Sequence, residues 1–163
     1  MAKNKEEKTN VMRVLEQKKI TYTAHTYPHE EGVAVDGVTV AQSMGFDPAI
    51  VFKTLVARGA SKQYYVFDVP VAANLDLKKA AKAVGEKSIE MIHQKELLPL
   101  TGYVHGGCSP VGMKKLFPTV IDKTAEDLET MIVSAGKIGY QVELSPQDLA
   151  SLVRAKFADI IVE

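Results

Sequence analysis

The chain has 163 residues, 46% hydrophobic and 25% charged, which fits one globular domain and excludes both a disordered chain and two separate cores. Twenty Lys and Arg balance twenty Asp and Glu, so the large basic excess of a sequence-independent nucleic-acid binder is absent. One cysteine, Cys108, allows no internal disulfide, and no apolar run nears the roughly 18 residues of a membrane span, so the chain is expected in the cytoplasm, away from membranes.

Residues 1–8, rich in Lys, Glu and Asn, are expected to form a flexible tail before a single domain over 9–163. Thr9 can cap a helix from about Asn10 to Lys19, with Val11, Val14 and Leu15 on one face. Ile20 to Tyr27 reads as a strand ended by Pro28, and His29 to Gly37 as a polar surface loop. Thr39 is the candidate cap of a short helix stopping at Gly45, and Asp47-Pro48 starts a new turn. Val51 to Arg58 and Gln63 to Pro70, turning at Gly59-Ala60-Ser61, form a hairpin. Asp76 caps a helix over Leu77–Val84 closed by Gly85, and a shorter helix is predicted near His93–Leu98. Short strands follow around Tyr103–His105, Thr119–Asp122, Thr130–Ser134 and Tyr140–Leu144. Ser145-Pro146 opens a helix over Gln147–Val153, and Phe157–Val162 reads as a last strand. Hairpins without a regular βαβ alternation predict an α+β domain with a mixed, largely antiparallel and closed sheet.

Lys53 is the first candidate for chemistry. It lies in Val51-Phe52-Lys53-Thr54-Leu55, an apolar strand where an ammonium group is costly unless paired. Snorkelling or a solvent face of the strand are the structural alternatives. Two glycine-rich turns lie downstream, Gly106-Gly107-Cys108-Ser109-Pro110 and Ser134-Ala135-Gly136-Lys137-Ile138-Gly139, where bare amides can approach an ester, carboxylate or phosphate.

Other patterns fail on inspection. His25, His29, His93 and His105 lack metal-ligand spacing. Gly107 to Gly112 has the length of a phosphate loop, but Met113 stands where the lysine belongs. Gly136-Lys137-Ile138-Gly139 matches the GXXG of a KH module, yet strands rather than helices flank it. Ser109 lacks a nucleophile elbow and suits a binding loop instead. Cys108 reads as a small, half-buried thiol with no assured base.

VFKTL at 51–55, PVAANLDLKKAAKAVG at 70–85, TGYVHGGCSPVGMKK at 101–115, PTVIDKTA at 118–125 and SAGKIGYQVELSPQDL at 134–149 together resemble the YbaK/ProX deacylases, most of all their YbaK branch, the Cys-tRNA(Pro) deacylases. The likeness runs from the first helix to KFADI at 156–160. It implies a barrel-like mixed sheet surrounded by helices and hydrolysis of the ester of misacylated tRNA, with no metal and no cofactor. It implies catalytic roles for Lys53, Gly106 and Gly107, and substrate binding by Tyr27, Thr54, Ser109, Pro110, Ser134, Gly136 and Lys137. The partner implied is the aminoacyl-tRNA 3′ end, with a prolyl-tRNA synthetase as a further candidate. In that branch the cysteinyl thiol attacks its own ester, so no protein nucleophile is required. The chain departs from the family at Ala135, often Gly, at Gln141, often acidic, and at Cys108, more usually apolar. An Ala-tRNA(Pro) or broader deacylase using water, and a non-catalytic module binding aminoacyl-tRNA or a synthetase, are the alternatives.

Overall fold

The computed structural model describes residues 8–30 and 33–163, so the tail expected over residues 1–8 lies outside it except for Lys8, which pairs with Glu16 at 2.8 Å. Thr9 Oγ1 accepts from Met12 N and starts α1 (Asn10–Gln17), whose Val11, Met12 and Leu15 are buried. β1 (Tyr22–Thr26) follows; the residues described between it and residue 37 form no helix or strand, and residues 31 and 32 of the expected loop lie outside the described residues. α2 (Gly37–Met44) ends at left-handed Gly45, but its cap is Asp36, not Thr39. The Asp36 carboxylate accepts from both the amide and the hydroxyl of Thr39, a stronger cap than a hydroxyl further in. A 3-10 turn (Pro48–Ile50) leads into the hairpin of β2 (Phe52–Gly59) and β3 (Tyr64–Pro70). α3 (Leu77–Val84) is capped by Asp76 and closed by Gly85. β4 (Ile89–Met91) was not legible as a strand; it is three residues long and two of them are exposed.

α4 (Gln94–Thr101) runs three residues past the expected helix, through Pro99, to left-handed Gly102. The strand expected at Tyr103–His105 does not form. Thr101 Oγ1 accepts from Tyr103 N and turns the chain, and the segment is loop. β5 (Thr119–Asp122), a second 3-10 turn (Lys123–Asp127), β6 (Met131–Ser134), β7 (Tyr140–Leu144), α5 (Pro146–Val153) and β8 (Lys156–Ala158) complete the order. The last strand is shorter than expected, and Ile161 bridges back to Leu75.

The strands make two open sheets, not one closed barrel. β4-β2-β3-β5-β8 is mixed, antiparallel from β4 to β3 and parallel from β3 to β8. β1-β7-β6 is antiparallel. A single parallel bridge, Val51 to Ile132, joins the two at their seam. The period-2 alternation of β2 and β3 divides the core. Phe52, Val56 and Val66 face the cluster shared with α1, α5 and the smaller sheet, while Ala57, Tyr65, Phe67 and Val69 face the cluster under α3.

Candidate active site

β2 is paired along its β3 side from Phe52↔Pro70 to Arg58↔Tyr64. Among the described residues, its other edge is covered only at the ends. β4 pairs with Ala57–Gly59, and β6 meets Val51. The gap opens on a cleft of about 560 Å³ lined by all of Phe52, Lys53, Thr54 and Leu55. Consecutive strand residues point to opposite faces, so this cleft wraps around the strand edge. The Val56 carbonyl accepts from Ile92 N across this edge at 3.4 Å. Two residues earlier, Thr54 therefore turns its own N–H and C=O to the same side, into the gap.

Lys53 is half-buried, and burial pushes its ammonium below the ordinary lysine value while the Asp36 carboxylate pulls the other way. Thr54 donates its hydroxyl proton to Asp68 Oδ1 at 2.6 Å. Asp68 lies directly across the ladder, is fully buried, and has its carboxyl raised by that burial to about 7. Tyr27 lines the cleft at 7% exposure, its amide donating to Gly139 O at 2.9 Å. Cys108 also lines it, with its thiol pushed up to about 12 chiefly by burial and then by the Asp68 charge. Such a thiol stays protonated at neutral pH and is a poor nucleophile. Among the described residues, no three His, Cys, Asp or Glu side chains gather as a metal-holding group.

The two glycine-rich loops meet each other as well as the cleft. Gly106, on the cleft wall, has φ +90°, and a Cβ there would fall 2.7 Å from Ala34 Cβ. A Cβ on Gly107 would fall 3.0 Å from Ile138 N, so Gly107 is the point of contact with the second loop. Its amide donates to Val104 O at 3.0 Å. Ser134 lines the cleft, and its Oγ accepts from Gly136 N at 3.1 Å.

Of the ten residues singled out in the sequence, Tyr27, Lys53, Thr54, Gly106 and Ser134 line the cleft, and Gly107, Ser109, Pro110, Gly136 and Lys137 do not. Ser109 is fully buried, with Oγ accepting from Val111 N, and Pro110 is buried beside it. The Lys137 ammonium lies 5.2 Å from the centroid of the Tyr140 ring. Ala135 is buried in the core away from the cleft, and the positive φ values of this loop fall on Gly136 and Gly139.

Sequence reasoning missed Asp36 and Asp68, and considered Gln141 only as a departure. Gln141 lines the cleft, and its buried Oε1 has no hydrogen-bond partner. Asp68 carries the same signal as Lys53, a lone ionisable residue in an apolar strand, Tyr64-Tyr65-Val66-Phe67-Asp68-Val69. Asp36 escapes notice because its segment reads as a polar surface loop, although Val33-Ala34-Val35 stand directly before it.

The sequence model of the aminoacyl-tRNA editing domain matches residues 32–152. The chain belongs to that family. An Enterococcus faecalis member named as a Cys-tRNA(Pro)/Cys-tRNA(Cys) deacylase, EbsC, is 45% identical over 161 residues, covering 98% of each chain. Among solved structures, one described as a trans-editing enzyme for prolyl-tRNA synthetase is 25% identical, with TM-score 0.79 over 94% of this chain and 95% of that one. A hypothetical protein at 20% identity shares the fold at TM-score 0.82, over 93% of this chain and 99% of that one. In this editing domain the strand-edge cleft is thus framed by Lys53-Thr54 on one side and two glycine-rich loops on the other.

Proposed function

We propose that this protein is a free-standing deacylase that cleaves the ester of misacylated tRNA, with Cys-tRNA(Pro) as substrate. The observation that carries it is the half-buried Lys53 at the edge of a cleft lined by Thr54, Gly106 and Ser134. The substrate is supported by full-length likeness to the relative named for Cys-tRNA(Pro) and Cys-tRNA(Cys).

An aminoacyl ester is already activated, so orientation and charge stabilisation suffice to cleave it. The Lys53 ammonium and the Thr54 main-chain N–H meet the ester carbonyl, whose oxygen gains negative charge as the tetrahedral adduct forms. Tyr27, Gly106 and Ser134 hold the terminal adenosine and the aminoacyl group. Gly107, Ser109, Pro110, Gly136 and Lys137 shape the two loops from behind. Cys108 stays a protonated thiol, which leaves bound water or the substrate as the attacking group. Likeness to the Cys-tRNA deacylases supports the substrate's own thiol, which yields a cyclic thiolactone and free tRNA. The protein works where charged tRNA is made, in the cytoplasm, receiving substrate released by a prolyl-tRNA synthetase.

The unpartnered Gln141 Oε1 favours a second reading, a binding module that holds aminoacyl-tRNA without cleaving it. Incubation with Cys-, Ala- and Pro-tRNA(Pro), following ester loss, separates the two. Rapid loss of Cys-tRNA(Pro) with Pro-tRNA(Pro) intact is the expected result. Binding without loss of any ester overturns the deacylase reading.

A further inference from the structure

Asp68 takes no part in the chemistry above, yet it is a carboxyl group in the middle of the core. It is 0% exposed; Oδ1 accepts from the Thr54 hydroxyl, and Oδ2 has no hydrogen-bond partner. An under-bonded buried carboxyl is costly, and a protein keeps one chiefly where something is gained from it. The groups facing it are few. β2 presents Thr54, β5 presents Ile121 in register, and the loop after α4 presents the Cys108 thiol. Lys53 alternates to the opposite face of β2 and is answered by Asp36. Asp68 meets the cleft lining at two residues: Thr54, half-buried and hydrogen-bonded to it, and Cys108, whose thiol burial keeps protonated. Thr54 is therefore the one that offers a hydrogen-bonded path.

We propose that Asp68 is a positioning residue that acts through Thr54 to accept the proton of the attacking group during deacylation. This rests on the deacylase reading above. With its proton committed to the Asp68 carboxylate, Thr54 Oγ1 turns lone pairs to the cleft, where a donor on the substrate can meet them. As the substrate thiol attacks, its S–H proton passes to Thr54 Oγ1, and the Thr54 hydroxyl proton passes to Asp68 Oδ1. The S–C bond forms and the carbonyl pair moves onto oxygen. Collapse of the adduct breaks the bond from carbonyl carbon to ribose oxygen. The proton returns from Asp68 through Thr54 to that leaving oxygen. Nothing is oxidised or reduced, and the carboxylate is restored. A carboxyl raised to about 7 is suited to this, since it is half ionised at neutral pH and can still hold a proton.

Single-turnover deacylation of Cys-tRNA(Pro) between pH 5.5 and 9, corrected for uncatalysed ester loss, tests the inference. The wild-type rate should rise with pH, break near 7 and flatten. Asp68→Asn should lose the break and about 100-fold of the plateau rate, on the scale of general base catalysis. Thr54→Val should match that loss, the double variant should lose no more, and Thr54→Ser should keep both break and rate. A folded Asp68→Asn with the wild-type break and rate overturns the inference while leaving the deacylase reading intact. Should Asp68→Asn fail to fold, equal rates for Thr54→Val and Thr54→Ser overturn it. No activity of the wild-type protein on Cys-tRNA(Pro) defeats the deacylase reading itself, and the inference with it.

Discussion

Lys53 and Asp68 are both ionisable residues of apolar strands, and burial drives both toward their neutral forms. Neither charge is there for stability. Lys53→Ala should reduce deacylation to the uncatalysed rate while the melting temperature stays level or rises, because a half-desolvated ammonium is removed. Near wild-type turnover in that variant would remove Lys53 from the site. For Asp68 the pH dependence has a definite sign. The carboxyl ionises at an ordinary 3.8 when unfolded and at about 7 when folded, so between those values the folded state holds the extra proton. Stability then falls as pH rises, by on the order of 4 kcal/mol across the window at about 1.4 kcal/mol per pH unit, with no further loss above it. Asp68→Asn should therefore be the more stable protein in urea at pH 8, and the advantage should shrink toward pH 4. An advantage that is constant with pH would mean the carboxyl does not titrate in this range. Lys53 was legible in the sequence because VFKTL leaves one charge among apolar residues, and Asp68 carries the same mark. Gln141 was not, since only the fold shows that its Oε1 is buried with no donor beside it.

The elements that could be read from sequence are those whose cause is local. Asp76 and Gly85 bracket α3 because a carboxylate accepts from Lys78 N and Lys79 N at one end and a left-handed glycine closes the other. Asp76→Ala should cost about 1 kcal/mol in chemical denaturation without touching turnover, since α3 is not part of the cleft. β4 and the Tyr103–His105 loop were illegible for the opposite reason. β4 is a strand only because the edge of β2 at Ala57–Gly59 receives it, and Tyr103 is diverted by the Thr101 hydroxyl. The glycine loops fall between these cases. Their glycines are visible, but which ones touch the cleft depends on packing: Gly106 faces Ala34 and Gly107 faces Ile138. Gly106→Ala combines a positive φ with a contact at 2.7 Å, so the loop must move. Its kcat/KM should fall at least tenfold while secondary structure by circular dichroism is unchanged. An unaltered kcat/KM would place the Gly106 loop outside the substrate's reach.

At the scale of the molecule, the expected closed sheet became two open ones because closure is a property of distant strands, which hairpin signals do not encode. β4 and β8, at opposite ends of the larger sheet, are three residues each, too short to seal a barrel. The consequence is functional, since the cleft lies where the two sheets meet at a single bridge, Val51 to Ile132, and β2 is left uncovered beside it. On the proposed reading such a site orients an ester without an activated protein nucleophile, and the substrate's side chain then sets the rate. Replacing cysteine by serine on the same tRNA changes size and shape little. Pocket fit alone discriminates by about 10–200-fold for a methylene-sized difference. Losing a positioned intramolecular nucleophile can cost far more, given effective molarities of about 10⁵–10⁸ M. Cys-tRNA(Pro) should therefore be cleared more than 10³-fold faster than Ser-tRNA(Pro) under single-turnover conditions, with a thiolactone recoverable by trapping with hydroxylamine-free quench and mass spectrometry. Comparable rates for the two esters would assign the attack to water and widen the role to alanine or serine editing.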